Sequence, residues 1–174
     1  MLLYSVVISP PDAVIGAVRE MKQHLLESIG WYHSVNALAH VTFAEFKAEP
    51  DTLIAWERYV RSFAARQSPV LLTFNRTASS SKGVFFLAPD GRSARLMFDM
   101  MRSFHVQAPP FEFRSTIPHM SIGRRLKPDQ LIVAKRLIPR ASLEFICSDL
   151  VIRRFNEMRG QYDIYKRYPF AMTE

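Results

Sequence analysis

Two of the five histidines in this 174-residue chain are each followed, two positions later, by a hydroxyl side chain. The tripeptide His-Val-Thr occupies residues 40–42, and His-Met-Ser occupies residues 119–121. A strand places residues i and i+2 on one face, about 6.6 Å apart, so His40 would share a face with Thr42 and His119 with Ser121. Imidazoles titrate near neutral pH and hydroxyls donate hydrogen bonds. Two such pairs facing each other suit general acid–base chemistry at a phosphate group.

The residues between and beside these polar side chains are apolar. Val41 and Phe43 alternate with the first pair, and Met120 and Ile122 alternate with the second. This pattern predicts two strands that each line a cleft with one face and pack against a core with the other. By the same alternation, Glu45 is expected to point away from the histidine of its segment, toward solvent or a basic partner.

The periodicity of the rest of the chain predicts the elements that position these strands. Alternating or continuous apolar runs indicate strands, apolar residues at intervals of three and four indicate helices, and Pro, Gly and Asp mark the boundaries. The first half is predicted to contain a strand over 2–8, a helix from Asp12 to Gly30, a strand over 38–46 and a helix capped by Asp51. A strand pair after Pro69 and a helix over 92–105 follow. The rest is predicted to be a strand over 115–123, a short helix over 128–138, and three closing strands with a turn at 157–160.

The two halves of this order resemble each other, because a helix precedes and a helix follows each histidine-bearing strand. No Gly- or Pro-rich linker separates the halves. The sequence therefore predicts two intertwined α+β lobes, each with one His-x-Thr/Ser motif, packed as a single domain over residues 1–174.

Charge and cysteine content restrict the partners and the setting. Residues 101–174 carry 13 Lys and Arg against 7 Asp and Glu, and this part of the chain supplies most of the formal net charge of +7. A one-sided basic field favours an anionic partner such as RNA or a nucleotide. Cys147 is the only cysteine, so we expect a cytoplasmic protein without a disulfide, and the apolar opening is too short to span a membrane. We expect a monomer.

The segments HVTFAEF and HMSIGR, 79 positions apart, resemble the paired His-x-Thr/Ser motifs of the 2H phosphoesterase superfamily, which includes 2′-5′ RNA ligase-like proteins and 2′,3′-cyclic phosphodiesterases. The similarity extends over essentially the whole chain, to the C-terminal YDIYKRYPF. It implies two pseudo-symmetric lobes of antiparallel sheet and helices around a central cleft. It also implies a metal-independent phosphoesterase without a cofactor, acting on 2′,3′-cyclic phosphate or 2′-5′ linkages of RNA or nucleotides.

The resemblance also assigns roles to individual residues. His40 and His119 would be the catalytic acid and base, in either order, and Thr42 and Ser121 would bind the phosphate. The family's second motif often ends in an arginine five residues after the histidine, which favours Arg124. Strict strand alternation favours Arg125 instead, unless the strand ends or bulges near Gly123.

Two alternative functions remain open from the sequence. One is a phosphodiesterase for a small nucleotide such as an ADP-ribose cyclic phosphate, and the other is an RNA-binding module without turnover. Four basic residues near the C-terminus could line an RNA groove or form a solvated strand face: Arg153, Arg154, Lys166 and Arg167. For His105, at the end of a helix, the favourable interaction with the helix dipole suffices as an explanation.

Overall fold

The computed structural model describes residues 1–172, and within them the chain forms nine strands and four helices. The strands are β1 (Leu2–Ile8), β2 (Val41–Ala48), β3 (Val70–Ser79), β4 (Phe85–Pro89), β5 (Phe113–Arg114), β6 (Met120–Gly123), β7 (Leu143–Cys147), β8 (Asp149–Asn156) and β9 (Gln161–Pro169). The helices are α1 (Asp12–Ile29), α2 (Pro50–Ala64), α3 (Gly91–Gln107) and α4 (Pro128–Leu137).

The strands form two antiparallel sheets, one for each histidine motif. Sheet 1 has the order β5-β2-β1-β8-β9, and sheet 2 has the order β6-β4-β3-β7. His40 immediately precedes β2 in sheet 1, and His119 immediately precedes β6 in sheet 2. The predicted α+β fold with two antiparallel lobes is confirmed.

The helices cover the outer faces of both sheets, and two of them contact both lobes. Helix α2 packs on sheet 1, where Trp56 stacks on Phe46 at 4.0 Å between ring centroids. Helix α3 contacts β3 and β4 of sheet 2, and its Phe104 also packs edge-on against Phe43 of sheet 1. Helix α1 follows a strand of sheet 1 and packs on α4 and sheet 2. Burial of these apolar faces leaves the opposite face of each sheet free to form a site.

Three predicted boundaries differ from the structure. Strand β2 begins at Val41, because residues 31–40 form a connecting loop. Helix α2 begins at Pro50 after Glu49, so Asp51 lies within the first turn and is not the cap. The predicted strand over 115–123 is shorter in the structure: only 120–123 form a strand, β6 in sheet 2, and residues 115–119 connect it to β5, which pairs with β2 in sheet 1. The first half of this run is therefore the connection from sheet 1 to sheet 2.

Strand β2 contains one residue more than its partner β1. Thr42 pairs with Val7 and Ala44 pairs with Val6, so Phe43 has no partner on β1 and forms a β-bulge. The Phe43 side chain is fully buried on the helix side.

The bulge changes which side chains share the cleft face of sheet 1. Glu45 pairs with Ser5 and Thr42 pairs with Val7, and Ser5 and Val7 are two residues apart on β1. Because cross-strand partners share a face, Glu45 lies on the same face as Thr42. The prediction that Glu45 points away from His40 is therefore wrong: simple alternation fails where the bulge inserts a residue.

None of the helices in the described part of the chain is both long and apolar enough to cross a membrane.

Candidate active site

A cleft of about 270 Å³ lies between the two histidine-bearing segments. Its walls come from α1, the loop of residues 31–40, the end of β6 and the β8–β9 turn. The lining residues are Lys22, His33, Ser34, Ala37, His40, Ser121, Arg124, Arg125, Gly160, Gln161 and Tyr162. Both lobes thus contribute polar and basic side chains to one concave surface.

Four of the residues predicted from the sequence line this cleft together: His40, Ser121, Arg124 and Arg125. The other two lie beside it and not in its lining. Thr42 is buried on β2, two residues after His40, with 7% of its surface exposed. This arrangement places one motif on each side of the cleft.

His119 is half-buried at the start of β6, beside the cleft rather than in its lining. Its ring packs against the edge of Phe86, with 5.2 Å between centroids, and Phe86 pairs with Ser121 across the strands. His119 therefore shares the face of sheet 2 that carries Ser121 to the cleft.

Both imidazoles are held in the same way. His40 Nδ1 lies 2.6 Å from the carbonyl oxygen of Leu38, and His119 Nδ1 lies 2.8 Å from that of Ile117, in each case two residues earlier. A carbonyl oxygen only accepts hydrogen bonds, so Nδ1 carries a proton in both rings and donates it. Proton exchange with a substrate is then left to Nε2 on each ring.

Ser115, which the sequence analysis did not single out, links the two motifs. Its backbone N–H donates to the carbonyl of Phe43 at the bulge, and its hydroxyl donates to the same Ile117 carbonyl that orients His119. His105 Nε2 also donates to the Phe43 carbonyl, at 2.8 Å. The helix dipole is thus not needed to explain His105. Nothing local in the sequence marks Ser115, because its link to the first motif depends on Phe43, which is distant in sequence.

Lys22 is a second residue that sequence reasoning missed. It is 3% exposed, and its ammonium group donates to the carbonyl oxygens of Ser34 and Ala37 at 2.8 and 2.5 Å. Burial, with a smaller contribution from the positive charge of Arg124, lowers the pKa of Lys22 to about 8. A signal was present in the sequence: position 22 continues the buried i, i+4 series through Val14 and Val18, where a lysine is unusual.

The loop of residues 31–40 ties the lobes together at the cleft. The carbonyl of His33 accepts a hydrogen bond from the backbone N–H of Arg124, at 3.2 Å. The hydroxyl of Ser34 lies 3.5 Å from the carbonyl of Ile122, a long contact that adds to this bridge. The backbone hydrogen bond and the Ser34 contact thus connect the end of β6 to the loop that carries His40.

The two arginines after β6 differ in backbone and surroundings. β6 ends at Gly123, so strand alternation does not extend to Arg125, which has a left-handed backbone with φ of 54°. The charge of Arg124 contributes to the pKa shifts of His40, Lys22 and Arg153, whereas that of Arg125 is not among the causes of any of them. Arg124 thus remains the predicted phosphate ligand.

The cleft keeps His40 uncharged. Burial is the largest cause, followed by the positive charge of Arg153 and, more weakly, of Arg124 and Lys22, and together they hold its pKa well below 6.5 despite the hydrogen bond to Leu38. A bound anion would offset this positive field. Anion binding should therefore favour protonation of His40.

This coupling predicts a pKa shift that NMR can measure. Sulfate keeps its charge throughout the neutral range, so an effect of sulfate on titration belongs to the protein. We expect saturating sulfate to raise the pKa of His40, followed through its imidazole resonances across a pH series. Signals of the exposed His24 should be the same with and without sulfate. An unchanged or lowered His40 pKa would contradict an anion site at this cleft.

Comparison with known proteins decides the family. A family model described as the 2′-5′ RNA ligase superfamily matches residues 10–159. The chain belongs to the 2′-5′ RNA ligase superfamily. Among proteins of curated function, no sequence matches it.

Solved structures with the same fold include other proteins of low sequence identity. TT0787 of Thermus thermophilus aligns with a TM-score of 0.68 at 14% identity, over 100% of both chains. Escherichia coli LigT in complex with 3′-AMP aligns with a TM-score of 0.69 at 17% identity, over 97% of this chain and 98% of LigT. LigT in complex with phosphate gives 0.64 at 16% identity, over 98% of each chain. Together with the family model, these similarities support an enzyme of the phosphoesterase kind within the superfamily.

Within residues 1–172, no three His, Cys, Asp or Glu side chains lie in a group that could hold a metal ion.

Proposed function

We propose that this superfamily member is a metal-independent phosphodiesterase that opens 2′,3′-cyclic phosphates at the ends of RNA or on nucleotides. The observation that carries this proposal is the matched pair of imidazoles, each with Nδ1 fixed on the carbonyl two residues back and Nε2 left for proton transfer. General acid–base catalysis at phosphorus needs two such groups on opposite sides of the reacting atom.

In the proposed reaction a water oxygen bonds to phosphorus while one P–O bond to the ribose breaks. One of His40 and His119 accepts the water proton at Nε2, and the other donates a proton from Nε2 to the departing ribose oxygen. The protein's proton count is unchanged over the step. A ribose hydroxyl in place of water, deprotonated by the same histidine while the other protonates the departing ribose oxygen, would give 2′-5′ ligation. The ribose oxygen that leaves determines which histidine is the acid.

The remaining cleft residues would stabilise the phosphate. Hydroxyls of Thr42 and Ser121 and the guanidinium of Arg124 would donate to non-bridging oxygens, where negative charge increases in the transition state. These donors need no bound metal. LigT, which shares the fold, has been solved with 3′-AMP and with phosphate, and this supports a phosphate-containing ligand here.

The size and charge of the cleft favour a short substrate over a long RNA. About 270 Å³ is at the small end of ligand sites. Of the basic residues suggested for an RNA groove, Lys166 pairs with Glu57 at 3.2 Å and Arg167 pairs with Asp149 at 3.1 Å. Their positive charge is partly compensated, so these residues would attract an RNA backbone less strongly. A nucleotide, including the ADP-ribose type, is therefore the second candidate substrate.

The direct test is hydrolysis of 2′,3′-cyclic AMP and of an oligoribonucleotide ending in a cyclic phosphate, each with EDTA present. We expect turnover of at least one substrate and no loss on chelation. Abolition by EDTA with recovery on adding a divalent ion would overturn the metal-independent mechanism. Steeply salt-dependent RNA binding without turnover would favour the binding-module alternative.

We further propose that the two lobes act as one domain and that the protein works as a monomer in a reducing cytoplasm, where buried Cys147 stays a thiol.

A further inference from the structure

Arg153 lies on the cleft face of sheet 1. It pairs with Ser5, the same β1 residue that pairs with Glu45 from the other side. Phe155, two residues along β8, pairs with Tyr162 of the cleft lining. Because strand partners share a face, Arg153 is on the face that carries Thr42 and Glu45 in sheet 1.

The Arg153 side chain is largely buried, and its guanidinium has hydrogen-bond donors left unused. The residue is 6% exposed, its Nε donates to Ser5 Oγ at 3.1 Å, and its Cζ lies 4.7 Å from the ring centroid of Tyr162. Among residues 1–172, its two Nη groups have no hydrogen-bond partner and no carboxylate lies within ion-pair distance, and both Nη atoms keep some contact with solvent beside the cleft lining. The negative charge of Glu45, on the same face, raises the pKa of Arg153 but forms no ion pair with it. A largely buried charge without a direct ion-pair partner is costly, and proteins normally pair it.

The position of this charge relative to the histidine is also informative. Among charged residues, Arg153 has the largest effect on the pKa of His40, ahead of Arg124 and Lys22. Burial lowers the pKa of Arg153 itself to about 10, so the guanidinium stays charged at neutral pH. A permanent positive charge thus lies close to His40 with unused donors. Its adjacent neighbour Arg154 is exposed and on the opposite face.

We propose that Arg153 is a ligand for the substrate's phosphate, contributed by sheet 1 opposite Arg124 of sheet 2. This inference rests on the proposed function and extends it: the phosphate itself supplies the missing counterion. An arginine guanidinium can donate two parallel hydrogen bonds to two oxygens of one phosphate. This geometry suits a phosphate bound against the wall of the cleft that sheet 1 forms. Tyr162 and Ser5 then position the guanidinium by stacking and by the bond to Nε.

The test uses inorganic phosphate and three variants of the full chain. Arg153→Met should weaken phosphate binding by about 10- to 100-fold in calorimetry, as loss of a charged hydrogen bond does. Arg153→Lys keeps the positive charge but cannot donate two parallel hydrogen bonds, so its loss of phosphate affinity should be smaller than that of Arg153→Met. Arg154→Met, with the same change on the exposed neighbour, should bind phosphate like the wild type.

Thermal unfolding separates a ligand from a structural residue. Without phosphate, Arg153→Met should have a Tm equal to or above that of the wild type, because an unpaired buried charge has been removed. With phosphate, the wild type should gain Tm and the variant should gain little. A structural role gives the reverse: a lowered Tm without phosphate, and an Arg153→Lys protein that binds phosphate normally.

The outcomes distinguish this inference from the function it rests on. Unchanged phosphate binding by Arg153→Met overturns the inference, even where the wild type hydrolyses cyclic phosphates. Arg153-dependent phosphate binding by a wild type that hydrolyses neither cyclic substrate supports the anion site and overturns the proposed function.

Discussion

Replacing either His40 or His119 by alanine should lower kcat for cyclic phosphate hydrolysis by about 10²- to 10⁴-fold, the usual contribution of a general acid or base. Each ring has its Nδ1 committed to a backbone carbonyl, so each offers one nitrogen for proton transfer, and no third histidine occupies an equivalent position in residues 1–172. KM should change less than kcat, because the loss is in the transition state.

The double variant sharpens this test. If the two rings act in one concerted step, removing both should cost little more than removing one, since a single missing proton transfer already disables the step. His24→Ala, an exposed histidine on α1, is the matched control and should retain wild-type rates. Near-normal activity in both single variants would exclude the two-histidine mechanism, provided that circular dichroism shows both to be folded.

Removing the side chain of Arg124 should have the next largest effect, a loss of about 10²- to 10³-fold in kcat/KM, as expected for one donor to the transition-state oxyanion. The backbone N–H of residue 124 donates to the His33 carbonyl, and Arg124→Ala leaves this hydrogen bond between the lobes in place. Arg124→Lys should recover part of the loss only, because an ammonium group lacks the two-pronged geometry.

Arg125→Ala is the matched comparison, since both arginines line the cleft and stand next to each other. We expect less than about a tenfold loss, because the left-handed backbone at Arg125 takes its side chain out of the strand pattern. The two alanine variants, measured with the same substrate in the same buffer, settle the choice. A larger loss for Arg125 would reverse the assignment that the sequence resemblance favours.

Local patterns were enough to predict the secondary structure that supports the site. The apolar runs at 2–8 and 70–79, and the helical spacing from Asp12 to Gly30, depend on residues close in sequence and appear as predicted. The resemblance to the family also predicted that the two His-x-Thr/Ser segments belong to different lobes, and in the structure they lie in different sheets. These features need no knowledge of which elements meet.

The parts that sequence could not predict all depend on distant partners. Arg153 looks like a surface charge in sequence, and only the sheet packed around it buries it. Lys22 continues a buried helical series, but its hydrogen bonds to the loop of residues 31–40 could not be predicted from that spacing. Ser115 acquires its role from Phe43 and Ile117, which come from different strands and a crossover. The choice between Arg124 and Arg125 depends on where β6 ends, a tertiary property.

The bulge at Phe43 limits how residue roles can be transferred between relatives of this chain. From His40 to Thr42, equivalent positions can be matched by counting along the strand. Beyond Phe43, a homologue without the extra residue would carry its cleft-facing side chain one position earlier, opposite the same β1 residue. At identities of 14–17%, an alignment without a gap here would match Glu45 to a side chain on the wrong face. Correspondence after the bulge should therefore be read from the β1 partner, Ser5, and not from position in the motif.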